Sequence, residues 1–383
     1  MIDILIILVL GILSGLAAKR IRIPSSAAQV IVGIIIGPPL LAWVVPSHYI
    51  EILSKVGVVL LLGMAGINLK LSKLIQAGVS GFLVATFGII LSFTGGYFFS
   101  VWWGSPREEA LYVGTALTAT SIGISVQVLH QFGFLNNKIG QIVIAAAVID
   151  DITALYLLAL AHEILSSGFS LTTAGYSIIG VAILLSVIFV LSFAVGRMTN
   201  HIALLKSHYC QILLAVFLVT SFGWITEFFG YSLVVGGFFS GLGLGTGMNK
   251  SDRTLVHNRL DRLVFLLAPF FFIGVGFQAE WDVLIDPGMP VLFFGLALVA
   301  IAGKTLGGVL GAVNTKRVST KLLIGLSMVP RGEVALVIAG LGFSQGHLSH
   351  HVFITLLLLA ITAAIVGPLL MTPIARRYEI SVK

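Results

Sequence analysis

Charged side chains are scarce in this sequence. Of 383 residues, 10% are Asp, Glu, Lys or Arg and 58% are hydrophobic. A soluble domain carries about 25% charged and about 45–50% apolar residues. The mean hydropathy of +1.09 agrees. So little charge excludes a soluble enzyme, a disordered chain and a nucleic-acid-binding domain, because this apolar excess is too large for a core and must face lipid. Cysteine is nearly absent: Cys210 stands alone, which excludes an intrachain disulfide, and its place at the start of an apolar run points to packing. No basic stretch precedes the first apolar run, which begins with Asp3. That argues against a cleaved signal peptide and for a retained first helix. Period-2 alternation is missing as well, which excludes a β-barrel.

What the sequence does have is long apolar runs and 43 glycines, a combination that suits membrane helices. Crossing about 30 Å of hydrocarbon takes roughly 17–25 helical residues. Thirteen segments qualify: 2–18, 25–45, 51–69, 73–101, 107–131, 138–167, 171–199, 206–229, 231–248, 255–279, 289–313, 320–344 and 349–377. The expected fold class is therefore an all-α polytopic membrane protein. Charge placement supports the count. The loops after odd-numbered spans up to the eleventh, with the C-terminal tail, hold eighteen Lys/Arg against three acids; the other side holds Arg107 and Lys55 against nine acids. Positive residues stay on the cytoplasmic side. The N-terminus is expected outside and the C-terminus inside, and this placement accounts for the pI of 9.6 without invoking nucleic acid.

Five charges remain inside the spans: Asp150, Asp151, Lys304, Arg331 and Glu333. Each costs about 2.5–3.5 kcal/mol at mid-bilayer on insertion scales. Helix-packing salt bridges would explain Arg331 and Glu333 as well as a function would. The tandem acids in Ala-Ala-Ala-Val-Ile-Asp150-Asp151 are harder to explain in that way. Adjacent residues on a helix point about 100° apart, and two ionised carboxylates this close repel. They also outnumber the one central lysine, Lys304, which stands among glycines that allow close helix approach. A spare carboxylate is what a cation site or a proton carrier needs, since hard cations take oxygen ligands. An Asp–Lys pair that holds together when empty and breaks when a cation arrives couples the ion to H⁺.

Two spans carry breaks in helical propensity. The fifth holds Thr115, Thr118, Thr120, Ser121, Gly123 and Ser125. The twelfth holds Gly325-Leu-Ser327-Met-Val-Pro330-Arg331-Gly332-Glu333. Such residues divert or weaken backbone hydrogen bonding. Irregular backbone at membrane depth survives only inside protein or along a cavity. The breaks lie seven spans apart, so spans 1–6 and 8–13 read as two inverted six-helix repeats linked by span 7. Paired interruptions of this kind mark a transporter binding site.

These residues resemble those of a known family. Thr118-Ala-Thr120-Ser121, the run ending in Asp150-Asp151, Lys304 and Pro330-Arg331-Gly332-Glu333 are similar to the motifs of the monovalent cation:proton antiporter-2 family, most of all its bacterial NapA-type Na⁺/H⁺ antiporters. The resemblance covers nearly the whole chain. It implies the sodium/proton antiporter fold with two broken crossing helices. A panel or dimerisation domain is implied at 1–72 and 206–284, a core ion-transport domain at 73–170 and 285–383, and a linker helix at 171–205. It also implies a homodimer in the cytoplasmic membrane of a prokaryote, elevator-type alternating access, Na⁺ or Li⁺ and H⁺ as substrates, lipid as surroundings and no cofactor. In this family Asp151 matches the essential cation- and proton-binding aspartate, Asp150 its partner, and Lys304 the lysine that bridges to that partner. Thr120 and Ser121 match the unwound segment beside the ion, so the resemblance sets Na⁺ at Asp151, Asp150, Thr120 and Ser121. Arg331 and Glu333 match a supporting charged segment. The Asp-Asp-plus-Lys combination resembles electrogenic members that exchange two protons for one cation. Potassium-efflux relatives usually carry Gln-Asp there and add a nucleotide-binding domain, and the sequence departs from both traits. An ungated K⁺/H⁺ antiporter stays open.

Two further classes compete. Gly78-Val79-Ser80-Gly81 fits a pattern found around intramembrane serine proteases, but a serine nucleophile needs a base within reach, and all nine histidines fall in loops or near span ends. An ion channel would not need a titratable pair coupled to a lysine. The ladder Gly241, Gly243, Gly245 and Gly247 reads as close packing or a helix end rather than a phosphate loop. His347, His350 and His351 read as a solvated outer turn, with pH sensing as the alternative.

Overall fold

In a computed structural model of the chain, the described residues are 2–21, 25–69, 71–121, 125, 129, 134, 137–167, 171–202, 207–229, 231–279 and 286–382. Among them the regular structure is entirely helical. The helices are α1 (Ile2–Ile21), α2 (Ser25–Ile36), α3 (His48–Asn68), α4 (Leu71–Trp103), α5 (Arg107–Thr118), α6 (Lys138–Ser167) and α7 (Leu171–Met198). They continue as α8 (His208–Phe228), α9 (Leu233–Gly247), α10 (Lys250–Gly276), α11 (Met289–Gly311), α12 (Val318–Ser327), α13 (Glu333–Ser344) and α14 (His350–Val382). Among the described residues, six stretches suffice by length and composition to cross a membrane: 48–68, 78–103, 138–161, 179–198, 209–228 and 289–311.

Several boundaries differ from the sequence reading for local reasons. The second span, expected over 25–45, leaves the helix after Ile36. After Gly37 come Pro38 and Pro39, which have no N–H to donate back to the preceding turn. α10 starts at Lys250 rather than 255, because the Asn249 side chain accepts the Asp252 amide at 2.9 Å and caps the helix. α4 is bent at Gly78, whose φ of 60° and ψ of −157° suit glycine. The fifth span leaves the helix at Thr118 and is non-helical over 119–121, and the twelfth divides into α12 and α13.

The chain divides into two compact units. The first comprises Met1–Leu16, Gln29–Leu71 and Leu155–Gln278. In it α9 packs against α3, α7 and α8, and α10 packs against α3. The glycine ladder explains how α9 gets so close. Residues two apart on a helix point about 200° apart, and residues four apart share a face. Gly241 and Gly245 accordingly lie on the backbone of α3 at Gly63 and Ile67, while Gly243 and Gly247 lie on that of α7 at Phe189 and Phe193. A Cβ at any of the four would clash with a neighbouring carbonyl oxygen. The ladder is a packing device.

The second unit comprises Ala17–Ala28, Ser72–Ala154 and Ala279–Lys383. Here α11 packs against α12 and α14, and α13 against α5 and α14. Gly303, Gly307 and Gly311, spaced by four, lie on Ser92, Gly88 and Val84 of α4. Gly308, on another face, lies on Gly325 of α12. The stripe brings α11 into backbone contact with α4 and seats Lys304 between them. An apolar cluster that includes Val84, Ala85, Ile142, Val143, Ala146, Ala147, Leu323 and Ile324 packs α4, α6 and α12 together.

Candidate ion site at the crossing of two broken helices

The centre of the second unit is built from two interruptions. α5 ends at Thr118, and Ala119 is extended with φ −64° and ψ 141°. The hydroxyls of Thr115 and Thr118 donate to the carbonyls of Leu111 and Thr115 at 2.8 and 2.7 Å, so they occupy acceptors in the last turn. α12 ends at Ser327, whose hydroxyl donates to the Leu323 carbonyl at 2.6 Å. Pro330 then breaks the ladder, and α13 begins at Glu333.

The two unwound segments satisfy each other. The Ser121 amide donates to the Pro330 carbonyl at 2.8 Å, and the Thr120 hydroxyl reaches the Met328 carbonyl at 3.3 Å. The Ser125 hydroxyl donates to the Ser327 carbonyl at 2.5 Å. Gly332 sits so close to Ser121 that a Cβ there would meet its side chain. Arg331 is fully buried and donates to the Ala119 carbonyl and, at 3.4 Å, to the Ala300 carbonyl of α11. Its partners are thus carbonyl oxygens, and that of Ala119 stands at the negative end of α5, which favours a cation. A salt bridge to a neighbouring helix, which would have made Arg331 a mere packing charge, is not among its described contacts.

Beside this crossing stands the acid pair of α6. Asp150 is fully buried and Lys304 is 1% exposed. Lys304 Nζ donates to Asp150 Oδ2 at 2.5 Å. The Thr120 hydroxyl donates to the same oxygen at 2.7 Å. Asp150 Oδ1 is buried, with no donor to it among the described residues. The Lys304 stem lies against Gly88 of α4, with Cδ at 3.5 Å from where a Cβ would stand. Asp151, one residue on, is partly exposed.

Of the residues expected from the sequence, Asp150, Lys304, Thr120 and Arg331 therefore meet around one point, and Ser121 ties the crossing through its backbone. The Glu333 backbone opens α13, but its side chain lies outside the described residues. Ser80, the candidate protease nucleophile, is buried and its hydroxyl accepts the Asn314 amide at 3.3 Å, which leaves it no role at a reactive surface. Sequence reasoning placed Ser125, Ser327 and Gly332 in the two breaks without naming what they touch, and it did not single out Gly88. Their small side chains carried a signal for close approach and none for which partner they approach.

A cation arriving here would meet a carboxylate already held by an ammonium and a hydroxyl, with backbone carbonyls of the crossing nearby. That donor set is all oxygen, as a hard monovalent ion requires. The profile of the family described as "Sodium/hydrogen exchanger, transmembrane" matches residues 4–377. The Na(+)/H(+)-K(+) antiporter GerN of Bacillus cereus is 31% identical over 96% of this chain and 94% of its own length.

This chain is a member of the sodium/hydrogen exchanger family.

Other members agree with that placement. The Na(+)/H(+) antiporter of Enterococcus hirae is 27% identical over 96% of this chain and 95% of that one. The high-affinity Na(+)/H(+) antiporter NhaS3 of Synechocystis is 31% identical over 84% of this chain and 70% of its own. Among solved structures, the sodium proton antiporter MjNhaP1 of Methanocaldococcus jannaschii has the same fold. Its TM-score is 0.73 at 18% identity, covering 97% of this chain and 96% of the other. The exchanger family member described here is thus an all-helical, multi-pass membrane protein, and its similar relatives are named as antiporters rather than enzymes.

Proposed function

We propose that the chain is a secondary antiporter of the NapA type that exchanges H⁺ for Na⁺ or Li⁺ across the cytoplasmic membrane. The observation that carries this reading is the buried Lys304–Asp150 pair beside Asp151 at the crossing. In the ion-free state Lys304 neutralises Asp150. An entering cation takes oxygens from Asp151, Asp150 and Thr120, with Ser121 at the unwound segment. It displaces the ammonium, which gives up its proton, and Asp151 releases the other. Two protons moving one way for one cation the other way transfer one net charge per cycle. A membrane voltage then contributes about 2.3 kcal/mol per 100 mV.

In this reading 73–170 and 285–383 are the moving core, 1–72 and 206–284 the panel of a homodimer, and 171–205 the linker. The N-terminus lies outside and the C-terminus in the cytoplasm. Arg331 and Glu333 support the crossing. The test is purified protein in liposomes with a preset ΔpH and a valinomycin clamp. Added Na⁺ should collapse the gradient, more weakly added K⁺ should not match it, and Asp151→Asn should abolish the response. Normal exchange by Asp151→Asn would refute the site, and flux without proton counter-movement would make the protein a channel.

A further inference from the structure

One cluster of titratable groups lies away from the ion site, at the other end of the helices that build it. The turn between α13 and α14 is fixed by Gly346, whose φ of 77° closes the helix with bonds from the Gly346 amide to Phe343 and from the His347 amide to Gly342. That turn lays the His347 ring on Tyr112 of α5, with centroids 5.1 Å apart and planes 19° from parallel. The buried Tyr112 hydroxyl donates to Gln345 at 3.0 Å. His347 Nδ1 stands 3.9 Å from Glu108 of α5. Glu109, 5% exposed, accepts the Ser349 amide at 2.5 Å. His351, on the first turn of α14, stands 3.2 Å from Asp286 ahead of α11. His350 packs edge-on against Phe343. Arg107 opens α5 on the same turn as the two glutamates. Glu280 and Asp282 lie outside the described residues.

Each element tied here continues to the crossing. α5, about 18 Å long, ends at the first break, α13 begins at the second, α11 carries Lys304, and α14 touches Pro330 through Gly367. The cluster therefore grips the far ends of the pieces that position the ion site. The two ion-pair contacts among these ties, His347 with Glu108 and His351 with Asp286, use imidazoles, the side chains whose charge changes between pH 5 and 8.

We propose that Glu108, Glu109, Asp286, His347 and His351 form a proton-operated latch on the exchange rate. Charged His347 and His351 tie the α13–α14 turn to α5 and to the segment ahead of α11, and their neutral forms loosen it. Glu109 holds the turn through a backbone amide, with no imidazole involved. The latch acts through helix position and touches no substrate. It rests on the exchanger reading above, in which this end faces outside, so external acid slows turnover.

The test compares wild type, the His347→Gln/His351→Gln double variant and Glu108→Gln in voltage-clamped liposomes from pH 5.5 to 8.5. All three should run at one rate at pH 8.5, and below pH 6.5 the variants should run about two- to fivefold faster than wild type, the range expected for half-exposed ion pairs. Overlapping profiles overturn the latch. Amide hydrogen exchange across 345–352 gives a second measurement that needs no transport. Protection, corrected for intrinsic rates, should rise from pH 8 to 5.5 in wild type and stay level in the double variant; level protection in wild type overturns the proposal. If wild type carries no cation-driven proton flux, the exchanger reading fails and the amide data alone decide whether the tie exists.

Discussion

Asp150→Asn isolates the buried pair. Asparagine keeps an oxygen for the Thr120 hydroxyl, so that hydrogen bond survives and the quantity removed is the negative charge. Lys304 is then left with its ammonium 1% exposed and no carboxylate on Oδ2, in the same interior as the buried Arg331 guanidinium. Removing one partner of such a pair costs about 3–5 kcal/mol, because the other charge is stranded away from water. For the second unit, about 200 residues long, about 2–4 °C of Tm per kcal/mol converts this to a fall of roughly 6–20 °C. The double variant Asp150→Asn/Lys304→Met carries neither charge and should recover most of the loss. A cycle of the two singles and the double, followed by tryptophan fluorescence during thermal unfolding in detergent, should give a coupling of at least about 2 kcal/mol. The reasoning is refuted if Asp150→Asn melts within about 1 °C of wild type, or if the double variant melts below the weaker single.

Three more outcomes follow from other contacts. Thr120→Val removes a hydrogen bond to a charged oxygen at 2.7 Å and should weaken cation binding, read by calorimetry, by about 1.5–3 kcal/mol. Gly308→Ala would press on the backbone of Gly325 and should cost about 1–3 kcal/mol in thermal unfolding, while Gly180→Ala, with nothing within 4 Å, should gain about 0.5–1 kcal/mol of helix propensity. The Gly288 amide, and after it His351, hold the Asp286 carboxyl below the usual carboxylate range. Its stabilisation is complete above the ordinary value of about 3.9 and is lost as pH falls through the lowered one, so Asp286→Asn should show a smaller loss of melting temperature between pH 6 and 2.5 than wild type.

The site was legible in the sequence to the extent that the bilayer makes polarity expensive. Asp150, Asp151, Lys304 and Arg331 drew attention because each stands within an apolar run, and the Thr/Ser and Pro/Gly stretches because no lone helix tolerates them there. Helix identity was legible for the same reason, and the stripe around Lys304 announced close packing. What sequence could not supply was pairing. Lys304 and Asp150 are 154 positions apart, and Thr120 and the Met328 carbonyl 208. For Arg331 the sequence left a salt bridge and a function equally open; its hydrogen bonds go to the carbonyls of Ala119 and Ala300, and a backbone oxygen leaves no mark in a sequence. The helix that ended at Ile36 instead of 45 was a different case. Its mark, Pro38-Pro39, was present, and hydropathy alone overrode it.

The crossing also bears on how the protein is made. The Ala119 carbonyl is met by Arg331 and the Ser121 amide by Pro330, groups that leave the ribosome more than two hundred residues later. Until they arrive, the first interruption sits in or near the bilayer with open peptide groups, each worth several kcal/mol in a setting without water. Those two groups of the first interruption gain the partners they have here only once Pro330 and Arg331 have been made.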